Sequence, residues 1–220
     1  MSLGEYIGAG SGTTKLLLHL NGNSTDSSGN GNNGTDTDIT YSQANGRFGM
    51  GAGFNGSSSF IYGSNTGIPG SGDMTVSCWI NPGRNAGQYQ DIVVNRDKEK
   101  EFGFKWMLYQ HTTDGAISFH GSAQNKTTLV PTLNKWLNVI ATVSSGTLTI
   151  YLNGVNSYST TGYTYGGGSP TKYAVGGYLS GTVKEPFLGL IDEVIIENRA
   201  WSASEVKKYY TNSRGFYATL

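Results

Sequence analysis

Apolar and polar residues alternate along this 220-residue chain in short bursts with a period of two, not 3.6. The clearest case is Trp136 to Val143, where Leu137, Val139, Ala141 and Val143 share one face. Ser144, Ser145 and Gly146 then turn the chain. In Thr147 to Leu152 the residues Leu148, Ile150 and Leu152 share a face, and Tyr151 points away. Asn153-Gly154 reads as the next turn, and Asn55-Gly56 as another hairpin turn, because both residue types tolerate positive φ. Thr75 to Asn81, ended by Pro82, sets Met74, Val76, Cys78 and Ile80 on one face. Further strands are predicted at Lys15 to Leu20, Ser59 to Tyr62, Asp91 to Asn95 and Phe104 to Gln110. Ala116 to Gly121, Tyr173 to Gly177 and Leu188 to Glu197 complete the set. The Leu16-Leu17-Leu18 run in the first of these implies burial on both faces.

One helix stands out. Ser202-Ala203-Ser204-Glu205 is a capping box, with Ser202 as N-cap and Glu205 three residues on. Trp201 before the cap and Val206 after it form a hydrophobic staple, and Tyr209 and Tyr210 continue the buried side. Everything earlier is strand and turn. The expected class is therefore all-β, a sandwich of two antiparallel sheets with one short C-terminal helix.

Composition agrees with many short strands joined by tight turns: 33 glycines and 14 tyrosines. The length suits one domain. Lys and Arg total 15, as do Asp and Glu, so no basic stripe offers counter-charges to a phosphate backbone and nucleic-acid binding is disfavoured. No apolar run approaches the roughly 20 residues of a membrane-spanning helix. Cys78, the lone cysteine, allows no intrachain disulfide and reads as an inert core thiol. Residues 1–14 read as a flexible Gly-rich arm, with no signal peptide visible, and residues 15–220 as the folded domain.

Four blocks in order resemble LamG-like jelly-roll domains of the concanavalin A-like lectin/glucanase superfamily. They are Leu17-Leu18-His19-Leu20 with the Asp26 to Gly34 loop, and Gly46-Arg47-Phe48-Gly49 through Asn55-Gly56 to Pro82. The others are Lys135-Trp136 through Asn153-Gly154, and Gly189-Leu190-Ile191-Asp192-Glu193-Val194 with the helix. The third block departs from the family: the usual histidine pair after the tryptophan is Leu137 and Asn138. The resemblance implies a jelly roll that serves as an attachment module.

The loop from Asn21 to Thr40 is long and polar, and its centre, Asp26 to Gly34, holds no apolar residue. Asp26, Asn30 and Asn32 offer the hard oxygens calcium takes, and Gly29, Gly31 and Gly34 let the chain wrap. The alternative is an Asx-rich turn, Asp26 bonding its own backbone. The resemblance implies a structural calcium ion (Ca2+) here, with Asp192 reaching the loop from the last strand.

Catalytic groups are sparse. Laminarinase-like relatives carry three alternating acids on one strand face, and in Glu193-Val194-Ile195-Ile196-Glu197 the middle position is Ile195. His19, His111 and His120 are scattered, the last two able to face each other across a hairpin. No catalytic residue is assigned. Aromatic faces on loops suit sugar rings, which nominates Tyr89, Arg96, Tyr165 and Tyr178 as ligand contacts, while Trp106 and Tyr109 read as core or face. The expectation is a non-catalytic binding or adhesion module for a glycan or protein surface, extracellular or on a virion. An alternative is a virion-surface structural protein, a phage decoration or fibre component, docking on other virion proteins through the N-terminal arm. A glycan hydrolase ranks last.

Overall fold

A computed structural model of the chain describes residues 12–96 and 103–215. The predicted arm at 1–14 lies outside the described residues except for 12–14, and Thr14 already begins a strand. In chain order the strands are β1 (Thr14–Leu18), β2 (Gly34–Thr37), β3 (Thr40–Ser42), β4 (Gly51–Asn55), β5 (Phe60–Ser64) and β6 (Met74–Pro82). Next come β7 (Gln90–Arg96), β8 (Phe104–Gln110), β9 (Ile117–His120), β10 (Gln124–Lys126), β11 (Leu137–Ser144) and β12 (Thr147–Leu152). The last are β13 (Val155–Thr160), β14 (Lys172–Val175), β15 (Tyr178–Ser180), β16 (Thr182–Lys184) and β17 (Leu188–Glu197), followed by helix α1 (Ala203–Gly215).

These strands form two antiparallel sheets and a small hairpin. One sheet runs β13-β12-β11-β6-β17-β4-β3, with β1 also paired to β17, and the other runs β10-β9-β8-β7-β14-β5-β2. The hairpin is β15-β16. The alternating faces meet between the sheets as anticipated. Leu137, Val139, Ala141, Val143, Leu148, Ile150 and Leu152 join Met74, Val76, Cys78 and Ile80 in the central core. The Ser145-Gly146 turn has φ of 47° and 75°, matching the strand twist at a two-residue hairpin. Burial pushes the Cys78 thiol pKa up, consistent with an inert core side chain.

The Leu16-Leu17-Leu18 run is buried on both faces. Leu16 and Leu18 enter the central core, while Leu17 packs outward with Ile140, Tyr151, Ile195, Trp201, Val206 and Tyr209 beneath α1. The capping box forms: the Glu205 N–H donates to Ser202 Oγ (3.3 Å) and the Ser202 N–H donates to Glu205 Oε2 (2.7 Å). One face of the eight-stranded sheet is thereby covered by the helix.

Asn55-Gly56 does not close a hairpin. β4 pairs with β3 and β17, whereas β5 pairs with β2 and β14, so the chain crosses there from one sheet to the other. The Asn55 side chain instead accepts the N–H groups of Ser57, Ser58 and Ser59, fixing the crossing.

Candidate binding cleft

On the outer face of the seven-stranded sheet, Val94, Met107, Tyr109, Ala174 and Tyr178 form a second buried patch, with Tyr62 and Phe104 at its margin. In β8 this follows from sequence: Trp106 and Leu108 point into the central core, so Met107 and Tyr109 point out. Over this patch opens a cleft of about 620 Å³. Its walls include Tyr89, Phe104, Met107, Tyr109 and His120, with Arg96, Gln124 and Glu185 as polar groups and Gly121, Gly166 and Gly167 at the rim. The rings stand at angles to one another. Tyr89 meets Tyr109 edge-on at 5.7 Å between centroids, and Phe104 meets His120 at 5.2 Å. Gln124 Nε2 donates to the Tyr109 hydroxyl, tying β10 to the floor.

Arg96 is the unusual member. Its side chain is 3% exposed, and its guanidinium carbon lies 3.5 Å from the Tyr178 ring centroid and 5.7 Å from that of Phe104. Its Nη1 is 3.6 Å from Glu185 Oε2. Burial, then the Arg96 charge, lowers the His120 pKa below the usual imidazole value. A cationic group held on aromatic faces, beside a neutral imidazole and a carboxamide, can hydrogen-bond hydroxyls while the rings stack on sugar C–H faces.

Of the four nominated contacts, Tyr89 and Arg96 line this cleft. Tyr178 is buried and supports Arg96 from below. Tyr165 is directed elsewhere: its hydroxyl donates to Gly72 O (2.6 Å) and its ring packs on Tyr163, while its neighbours Gly166 and Gly167 reach the cleft. Residues 97–102, which follow Arg96, lie outside the described residues. The sequence reading does not nominate Phe104, Met107, His120 or Gln124, and it leaves Tyr109 between core and face. The signal available was β8 itself, apolar on both alternating faces in a strand that packs one face on the core. A second groove, of about 500 Å³, lies on the outer face of the other sheet among Asn81, Asn134, Leu188 and Leu190.

The four predicted metal ligands do not converge. Asp26 Oδ1 accepts the N–H groups of Leu17 (3.0 Å) and Ser28 (2.9 Å), and Oδ2 accepts that of Asn32 (2.9 Å). Donors aimed at the carboxylate occupy the directions a cation would need. The Asn32 amide donates to Lys15 O and Thr66 O and accepts from Thr66 N, and the Asn30 amide donates to Thr14 O and Ser28 Oγ. The loop is thus the Asx-rich turn of the alternative reading, closed by its own backbone. Asp192 lies across β1, which bridges to Asp26 on one side and pairs with β17 on the other. There Asp192 Oδ2 accepts from Arg47 N (2.7 Å) and Phe48 N (2.9 Å), while Oδ1 is buried with no hydrogen-bond partner. Burial, then the Glu193 charge, pushes the Asp192 pKa up to about 8. Among the described residues no three His, Cys, Asp or Glu side chains cluster as a metal cage. The Asp26 oxygens are thus taken by backbone donors, while Asp192 Oδ1 is the predicted ligand atom that is buried without a hydrogen-bond partner.

The acids considered for hydrolysis are structural here. Glu193 meets His19 Nδ1 at 3.0 Å. Glu197 is buried, accepting from Thr14 Oγ1, Trp201 Nε1 and Arg199 Nε. His111 and His120 do not face each other, since His120 pairs with Met107 and His111 lies against Tyr89.

Comparison with known proteins places the fold. Domain 4 of the GH43 extracellular arabinanase AbnA from Geobacillus stearothermophilus, solved with arabinotriose, superposes with TM-score 0.72 at 22% identity, covering 90% of this chain and 98% of that domain. The binding domain of Paraclostridial Mosquitocidal Protein 1 gives 0.71 at 21% identity, covering 91% of this chain. A chain of botulinum neurotoxin type C, a toxin whose cell entry is described as dependent upon interaction with two ganglioside molecules, gives 0.69 at 12% identity, covering 94% of this chain. This chain spans about half the length of the mosquitocidal and neurotoxin chains, 52% and 53%. No curated protein sequence matches. The family model for the concanavalin A-like lectin/glucanases superfamily (Laminin_G_3) matches residues 54–207, and with the two-sheet sandwich in place the chain belongs to that superfamily.

Proposed function

We propose that the chain is a non-catalytic carbohydrate-binding module that takes its ligand in the cleft over β7 to β10. The observation that carries this reading is the cleft itself: aromatic walls with a buried arginine and a carboxamide, mounted on a rigid sheet. The arabinotriose complex of the arabinanase domain and the ganglioside interaction of the neurotoxin support a glycan as ligand. An extracellular location accords with that ligand, and no helix among the described residues is long and apolar enough to cross a membrane. A structural calcium ion belongs to the same reading, with Asp192, whose Oδ1 is buried without a hydrogen-bond partner, as the residue that would hold it.

Tyr89 is 38% exposed, so its removal perturbs the cleft without opening the core. On a glycan array, Tyr89→Ala is expected to lower binding about tenfold, the loss of one stacking partner. Equal binding by the variant and the parent protein would exclude this cleft as the site.

A further inference from the structure

Asp91 lies beneath the cleft wall, fully buried, and neither of its carboxylate oxygens accepts a hydrogen bond. Its backbone N–H donates to Glu185 O (2.8 Å), which brings the Glu185 side chain back over β7. Glu185 holds a left-handed φ of 52°, unusual for this residue type, and its carboxylate reaches both Arg96 and Asp91. Two ionised carboxylates are acceptors only, so the pair bonds only when one of them carries a proton.

We propose that Asp91 keeps a proton that it donates to Glu185, and that this proton controls the cleft. While it is present, Glu185 stays folded against Asp91 and Arg96 as part of the wall. When it leaves, the two charges repel, Asp91 draws Arg96 inward, Glu185 swings into the cleft, and glycan affinity falls. The ligand half of this inference rests on the carbohydrate reading above; the proton on Asp91 does not.

The surroundings favour the protonated pair. Glu185 faces Asp91 from the segment after β16, Arg96 from its own strand and Tyr109 from β8. On the other side, β14 places the uncharged Ala174 and Val175 opposite Val94 and Val93. His120 interacts with Arg96, and its lowered pKa leaves it neutral near pH 7, so it adds no second cation. Burial first, then the Glu185 charge, raises the Asp91 pKa well above the usual carboxylate value, and Arg96 opposes this only in part. The folded state thus holds a proton that the unfolded chain has released. The stability this contributes is fully present below the unfolded carboxylate pKa and is lost as pH rises through the folded one.

The experiment is carboxyl carbon NMR of the whole chain over pH 4 to 9, paired with arabinotriose titrations at the same pH values. The expected result is an Asp91 titration well above pH 4, with amide signals of β15-β16 moving with it. Arabinotriose affinity should fall about tenfold over that step, equivalent to one pK unit of linkage. Asp91→Asn, whose amide donates to Glu185 at every pH, should bind at a constant level. Glu185→Gln, on the more exposed partner, should move the Asp91 titration toward pH 4. Ordinary carboxyl titration of Asp91 near pH 4, or a pH-independent parent affinity, would overturn the proposal. So would a titration displaced by calcium, which would make the pair a metal site. Absence of arabinotriose binding at any pH, with Asp91 still titrating well above pH 4, would count against the glycan reading and leave the Asp91 proton standing.

Discussion

Three backbone N–H groups converge on the Asp26 carboxylate, and they define what this side chain contributes. Asp26→Ala leaves buried donors without an acceptor, and the expected loss is about 3 kcal/mol. Chemical denaturation should show that loss equally in calcium and in excess chelator, because the side chain holds backbone and not metal. Asp192→Asn is the complementary case: calcium should raise the melting temperature of the parent protein and not of this variant. Stabilisation by calcium that survives Asp192→Asn but disappears in Asp26→Ala would reverse the assignment. The sequence marks both aspartates as important, yet it cannot say which groups meet their oxygens. In an Asx-rich loop the same spacing serves a cation or a set of N–H donors, and only tertiary placement decides. The sequence nominates Arg96 and Tyr178 separately; that the guanidinium lies on the Tyr178 ring is set by tertiary placement.

Elements with strong alternation, a cap or a glycine turn could be read from the chain: β6, β11, β12, β17 and α1 fall where the pattern puts them. Edge and polar strands could not. β2 (Gly34-Thr35-Asp36-Thr37) and β13 (Val155 to Thr160) carry no apolar stripe and are specified by pairing to β5 and β12. The β15-β16 hairpin, which brings Glu185 to the cleft, has the same character. The helix offers a local measurement. Ser202 receives the Glu205 N–H while Arg199 holds the Glu205 carboxylate (2.7 Å). Ser202→Ala is expected to cost about 1 kcal/mol in urea denaturation, the usual value for an N-cap. Its effect should stay confined to stability, because α1 covers the sheet opposite to the cleft and leaves glycan binding unchanged.

At the scale of the whole molecule, the two sheets divide their outer faces between different tasks. One is sealed by α1 through Trp201, Val206 and Tyr209, and the other carries the cleft, where Tyr89 stands exposed beside the buried Met107 and Tyr109. A concave site lined by rings with a few polar groups is the usual form of a ligand pocket, which is the physical basis for assigning binding to this face. The most direct measurement is amide NMR of the labelled chain titrated with arabinotriose. The expected result is saturable shifts at Tyr89, Phe104, Tyr109, His120 and Gln124, absent in Tyr89→Ala. Shifts confined to Asn81, Asn134 and Leu188 on the opposite sheet would contradict the account.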